Sequence, residues 1–272
     1  MTRTGEKSNL SVSPLAHVVA RLRASEVMLD PYPHYYLENL FPDDYYRELL
    51  RHLPGSGAYQ NLFEVTDYKL DHFRHRDQRD LREGWTAEMP DEIKEFWDGF
   101  SEWFLGPELA GAVMDSFAEP LRARYGGRES WPEVSVEPQL IRHRAGYFLG
   151  PHSDLYTKVV VLLIYLAPDE SGAHLGTSLY RPKDPSFTCR DSKHYPFEDF
   201  VRVKTAPYRP NSMLAFLRSD VSFHGVEPLS ERDVADSRGR DLIQYVLHDR
   251  RAREAQLRER RLAAAGREAA EA

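Results

Sequence analysis

The chain has 272 residues, and its 36 Lys and Arg against 43 Asp and Glu leave a formal net charge of −7, so bulk electrostatics do not favour a nucleic-acid partner. Hydrophobic residues make up 41% and aromatics 12%, ample for the core of one large domain or two small ones. The only cysteine, Cys189, excludes a disulfide framework and a cysteine-based zinc site.

Residues 1–13 are polar and read as a flexible N-terminus. From Pro14 to Ala24, Leu15, Val18, Val19 and Leu22 recur at helical spacing. The stretch DPYPHYYLENLFPDDYYRELLRHLP reads as a short strand, then a helix that opens at Pro42-Asp43-Asp44 and stops before Pro54. Asp91–Leu105 carries a wide apolar face, and Pro107–Tyr125 reads as one further helix with Pro120 near its end. Beyond Gly126-Gly127 the pattern changes to strands: Val134–His143, Val159–Leu166, Gly176–Tyr180, Phe200–Thr205, Ser212–Leu217 and Asp241–His248. From Arg250 the chain is charged, with Leu257 and Leu262 as its only large apolar residues, and reads as an exposed helix fraying into disorder.

Helices first and strands afterwards define an α+β fold, with helices on one side of a sheet or barrel. The expected organisation is a single domain over 14–250, with a mainly helical support over 14–130 and a strand-rich core over 131–250, followed by a tail over 251–272. The first thirty residues lack the apolar run of a signal peptide. The apolar run VVVLLIYLA is far shorter than the roughly 20 residues of a membrane span. A cytoplasmic protein without a membrane partner is expected.

That run is preceded by GPHSDLYTK, residues 150–158, where His152 and Asp154 point to the same side of an extended chain. The pair alone decides little: His75-Arg76-Asp77 has the same form inside the polar run HFRHRDQRD, which reads as a solvated loop. Context separates them. His224, in SDVSFHGVEP, also follows an apolar strand, MLAFL, and supplies a third donor at a strand edge. Two imidazoles and a carboxylate on one face of an octahedron suit ferrous iron and leave three positions open. A structural zinc site would want a fourth protein ligand, usually sulfur. His174 reads as a loop residue and His248 as a strand-end residue beside Asp249.

Four stretches together, LIRHRAGYFLGPHSD, VVVLLIYLA, FHGVEP and RDLIQYVLHD, resemble the Fe(II)- and 2-oxoglutarate-dependent dioxygenase superfamily in its prolyl-hydroxylase-like branch. The resemblance covers roughly residues 135–250. It implies a double-stranded β-helix, a jelly roll of the cupin kind, with an N-terminal helical layer outside. It implies Fe(II) on His152, Asp154 and His224, with 2-oxoglutarate and O2 as cosubstrates, ascorbate as a candidate reductant, and release of succinate and CO2. Arg240 occupies the place of the basic residue that clamps the distal carboxylate of 2-oxoglutarate, with Arg232 and Arg238 as competitors and Tyr165 as a second donor. A planar guanidinium suits that task through two parallel charge-assisted hydrogen bonds. Halogenases of the superfamily carry Gly or Ala in place of the carboxylate, so Asp154 implies hydroxylation or another oxidation such as desaturation or ring closure.

Two regions could build a substrate pocket. The connection over 176–200 is long and rich in aromatics, among them Tyr180 and Phe187, and reads as an ordered lid. The run YKLDHFRHRDQRDL, with Arg74 and His75, reads either as a salt-bridged loop or as a recognition site for a carboxylate or phosphate. Arg142 and Arg144 flank His143, so only one of the two sets can face inward, and the resemblance favours His143. The expected partner is a small molecule or sugar-containing metabolite. A protein side chain as substrate, a non-redox cupin-like metalloenzyme and a scaffold protein without catalysis are the alternatives.

Overall fold

In the computed structural model of the chain, residues 13–66, 69–82, 84–234 and 239–271 are described. Of the expected loose residues 1–13, all but Ser13 lie outside them, as does the competitor Arg238. Eleven strands form two antiparallel sheets among these residues. The strands are β1 (His34–Glu38), β2 (Gln60–Asn61), β3 (Arg76–Asp80), β4 (Val134–His143), β5 (Leu149–His152), β6 (Lys158–Tyr165), β7 (Thr177–Pro182), β8 (Phe200–Ala206), β9 (Ser212–Leu217), β10 (His224–Val226) and β11 (Arg240–Asp249). The larger sheet runs β1-β9-β6-β11-β4-β3-β2 and the smaller β5-β10-β7-β8.

The apolar run of β6 has no polar alternation because both its faces are covered. Val160, Leu162 and Ile164 join a core with Met213, Leu217, Ile243 and Tyr245 on the outer face of the larger sheet. The alternate residues Val161, Leu163 and Tyr165 face inward, packing with Phe216 and Leu242 of the same sheet and with Leu179, Ala206 and Val226 of the smaller one. A one-residue slip would exchange the two cores, so the register is strongly specified.

The outer face is covered by helices α1 (Pro14–Arg23), α2 (Asp43–Arg51), α4 (Asp91–Phe104), α5 (Pro107–Ser116) and α6 (Ala118–Tyr125); the short α3 (Leu62–Val65) and α7 (Glu231–Val234) sit apart from that layer, and α8 (Arg250–Glu271) closes the chain. Trp97, Phe100 and Phe104 of α4 and Leu109 and Val113 of α5 are among the buried side chains there. The helical layer is therefore as expected from the sequence.

Three details differ from expectation. Pro107–Tyr125 is two helices, broken at Phe117. Pro120 lacks the N–H that would continue the ladder, and the break places it in the first turn of α6, where that N–H is not needed. Residues 76–80 are a strand, hydrogen-bonded between β2 and β4, and not a loop. Both faces of β3 are polar, so no alternation marks it. The start of the tail is likewise not free in solvent: Arg253 of α8 bonds both oxygens of Glu137 and Gln256 is buried.

Candidate metal centre

His152 ends β5 and His224 begins β10, and the two are direct partners across that antiparallel pair. Gly225 makes the approach possible: a Cβ there would stand 2.5 Å from the Leu149 carbonyl oxygen. Each imidazole donates from Nδ1 to a carbonyl two residues back, His152 to Gly150 at 3.1 Å and His224 to Ser222 at 3.1 Å. A carbonyl can only accept, so in the neutral rings the proton sits on Nδ1 and the Nε2 lone pair is left for a metal.

Asp154 completes the group. Its Oδ1 accepts from Lys158 Nζ at 2.5 Å, while Oδ2 is buried, makes no hydrogen bond and lies 3.7 Å from His224 Nε2. One ligand atom from each of His152, Asp154 and His224 lies within 4.8 Å of the others, and all three residues are buried. Burial pushes the His152 and His224 imidazoles below their ordinary values, so both are neutral. For Asp154, burial acts upward, but the Lys158 ammonium, hydrogen-bonded to Oδ1, holds the carboxyl well below the usual carboxylate range. Two neutral nitrogen donors and one anionic oxygen with an orphaned lone pair form a donor set that fits a divalent ion such as Fe(II).

The loop that carries the carboxylate is fastened from behind. Arg218 Nε donates to the Asp154 carbonyl at 2.8 Å, and its Nη2 reaches the carbonyls of Cys189 and Arg190. Ser153 turns away from the triad and donates to the Cys189 carbonyl. The long 176–200 connection is thereby tied to the metal loop, and its Phe187, Tyr195 and Phe197 pack on Tyr180, Phe200 and Phe223.

The triad opens into a cavity of about 350 Å³ whose wall also holds His143, Tyr147, Thr177 and Arg240. Gly239, at φ +126°, turns the chain into β11 where a Cβ would stand 2.7 Å from the His143 carbonyl oxygen. Arg240 follows it and is 1% exposed. Its Nε donates to the Leu175 carbonyl at 2.6 Å, Nη2 to the Thr177 hydroxyl at 2.9 Å and Nη1 to His143 Nδ1 at 2.9 Å. Among the described residues it forms no ion pair. A buried cation without an anion is costly, by several kcal/mol in general.

Because His143 accepts at Nδ1, its neutral ring carries the proton on Nε2, and that atom is buried without a partner. Burial and the adjacent Arg240 push its pKa well below the ordinary value. The ring stacks on Tyr147 with centroids 3.7 Å apart, and the Tyr147 hydroxyl is also unpartnered. Tyr165 faces inward with its ring centroid 5.4 Å from the Arg240 guanidinium carbon, behind the cavity wall rather than on it.

The remaining sequence candidates lie elsewhere. Arg142 faces away from the cavity, bonds both oxygens of Asp241 and covers the Tyr59 ring. Arg74 is exposed and stacks on Phe63. His75 packs against Gly146, and Tyr180 donates to Glu227 at 2.8 Å. Arg232 is exposed on α7. His174 is an exposed loop residue beside Asp233. His194 went unremarked in the sequence: its ring lies 4.9 Å from that of His152 and its Nδ1 is buried without a partner. No spacing links it to the triad, since it arrives from the long connection. Glutamines 78, 139 and 244 also line the cavity, and only the fold gathers them.

No protein-family model matches the chain, and no curated protein matches it. Among solved structures it is similar to a prolyl-4-hydroxylase of Pseudomonas putida, at 15% identity and TM-score 0.46, covering 87% of this chain and 99% of that one. It is also similar to an oxidoreductase of the 2OG-Fe(II) oxygenase family from Burkholderia pseudomallei, at 14% identity and TM-score 0.44, covering 91% and 93%. A third likeness is to HygX of Streptomyces hygroscopicus with nickel, 2-oxoglutarate and hygromycin B bound, at 12% identity and TM-score 0.43, covering 82% and 85%. No helix among the described residues is long and apolar enough to cross a membrane.

Proposed function

We propose that the chain is an Fe(II)- and 2-oxoglutarate-dependent oxygenase that oxidises a C–H bond of a small molecule, releasing succinate and CO2. The observation that carries this reading is the buried, unpaired Arg240 on the wall of the cavity that holds the His152–Asp154–His224 triad. A carboxylate-bearing cosubstrate would supply the anion that this guanidinium lacks. The strand order supports a double-stranded β-helix, since β4 to β11 distribute over two facing antiparallel sheets around one inner core.

In this reading His152, Asp154 and His224 hold the iron. Arg240 grips the distal carboxylate of 2-oxoglutarate, the Thr177 hydroxyl fixes the plane of the guanidinium and Tyr165 backs it. Together, iron and 2-oxoglutarate supply the activation of O2. The protein's own work is to position and to exclude water. His143 Nε2–H is a donor fixed in direction by Arg240, and stacking on Tyr147 keeps its ring from turning. Lys158 holds one oxygen of Asp154 so that the other remains for the metal. The carboxylate at position 154 occupies the place a halide would need, which favours hydroxylation. Oxygen uptake and succinate formation by the iron-loaded protein with 2-oxoglutarate test the activity: both should appear, slowly even without substrate, and neither above a metal-free control would overturn it.

A further inference from the structure

Arg76 was read from the sequence as part of a polar loop, yet it sits on the cavity wall in the same row as Arg240. In register, His143 of β4 is the partner of Arg76 on β3 and of Arg240 on β11, so the two arginines flank it across three adjacent strands. Two other cations of this wall are matched by acids: Lys158 by Asp154 and Arg253 by Glu137. Arg76 is not. Its one side-chain hydrogen bond goes to Gln139 Oε1 at 3.3 Å, a neutral partner, and its Nε is buried with none. Among the described residues it has no ion pair.

We propose that Arg76 anchors an acid group, a carboxylate or phosphate, on the substrate. This rests on the oxygenase reading, in which Arg240 is already committed to 2-oxoglutarate and a second anion must belong to another molecule. The surroundings of Arg76 define more of that molecule. Gln78 and Gln139 stand beside it on the wall, and an amide offers both donors and an acceptor to hydroxyl or amide groups. Leu62 and Phe73 line the same cavity and offer an apolar contact for a carbon skeleton. The substrate class is therefore an acid-bearing metabolite whose acid end lies at β3 and whose reacting carbon lies at the triad. Guanidinium suits the acid end because its planar fork can form two charge-assisted bonds at once.

The test uses small anions as probes. With Mn(II) in the metal centre and saturating 2-oxoglutarate, the paramagnetic ion should speed the phosphorus NMR relaxation of inorganic phosphate and the carbon relaxation of carboxyl-labelled acetate. Arg76→Gln should weaken at least one probe about tenfold or more, the usual scale for a lost charged hydrogen bond, with Mn(II) and 2-oxoglutarate affinities unchanged. Equal relaxation in the two proteins overturns the proposal, since the probes then reach the metal without Arg76. Loss of 2-oxoglutarate binding in Arg76→Gln also overturns it, by placing Arg76 in the cosubstrate site. Should the wild-type protein bind neither Mn(II) nor 2-oxoglutarate, the oxygenase reading is what fails. Calorimetric titration of the metal-free proteins with phosphate then decides Arg76 separately: a roughly tenfold difference supports the anchor, and equal binding removes it.

Discussion

Lys158 and Asp154 form an ion pair at 2.5 Å that divides the carboxylate into two unlike oxygens, one held by the ammonium and one orphaned beside His224. The pair joins the first residue of β6 to the loop before it, so a strand buried on both faces orients the metal ligand. Lys158→Met keeps the length and the apolar stem but frees the carboxylate to rotate. Loss of such outer partners typically costs about 10- to 100-fold in metal affinity, and competition titration with a chelating dye should show a decrease of that size.

Arg240→Gln removes the cation from the inner end of the cavity and leaves the triad untouched. The KM for 2-oxoglutarate should rise at least about tenfold, the scale of a lost charged hydrogen bond, while metal affinity stays within error. Arg240→Lys should recover part of the loss, because it restores charge without the fork. Steady-state kinetics with 2-oxoglutarate as the varied substrate measures both. An unchanged KM in both variants would remove Arg240 from the cosubstrate site.

Arg142 makes the opposite prediction. Both it and Asp241 are buried and bonded to one another through two nitrogens, on the face turned from the cavity. Arg142→Ala should cost about 3–5 kcal/mol of stability by leaving the Asp241 charge without its guanidinium. For a chain of this size that lowers the Tm by roughly 10 °C. Calorimetry should show the drop, and the KM for 2-oxoglutarate at a temperature where the variant is folded should match wild type.

Acid should unfold the metal-free protein early. Burial lowers the pKa of His248 to about 4 and that of His143 well below the ordinary value. The unfolded chain binds these protons more readily, so stability is fully present above the unfolded pKa of about 6.5 and falls as pH drops below it. Denaturant midpoints measured from pH 7.5 to 4.5 in the presence of chelator should decline below about pH 6.5. His248→Gln, which keeps a hydrogen-bonding group beside Thr157, should flatten that decline.

Legibility from the sequence followed the physics of each element. The doubly buried β6 was plain because continuous apolar runs have few other uses, and the helices showed through their wide apolar faces. His152, Asp154 and His224 were found because each lies at the edge of such a strand. β3 was missed because both its faces are polar: Asp77 meets Arg144 outside, while Arg76 and Gln78 line the cavity. A pattern search looks for burial, and this strand is placed by its pairing with β4. Arg142 and His143 were separable in principle, since adjacent residues of a strand point apart, but which of them faces inward is set by the register with β11. His194 lay beyond reach because its place depends on the path of a long connection. The Pro120 break was misjudged by position: proline sits well in a first turn, so it begins the second helix and does not end the first.

The most direct measurement is anaerobic addition of Fe(II) and then 2-oxoglutarate to the purified protein, followed by visible absorption. Chelation of the cosubstrate at a two-histidine, one-carboxylate iron centre predicts a weak charge-transfer band that saturates at one equivalent of iron and is absent in Asp154→Ala. No band and no iron uptake by the wild-type protein would contradict the account, as would a band that survives in Asp154→Ala unchanged.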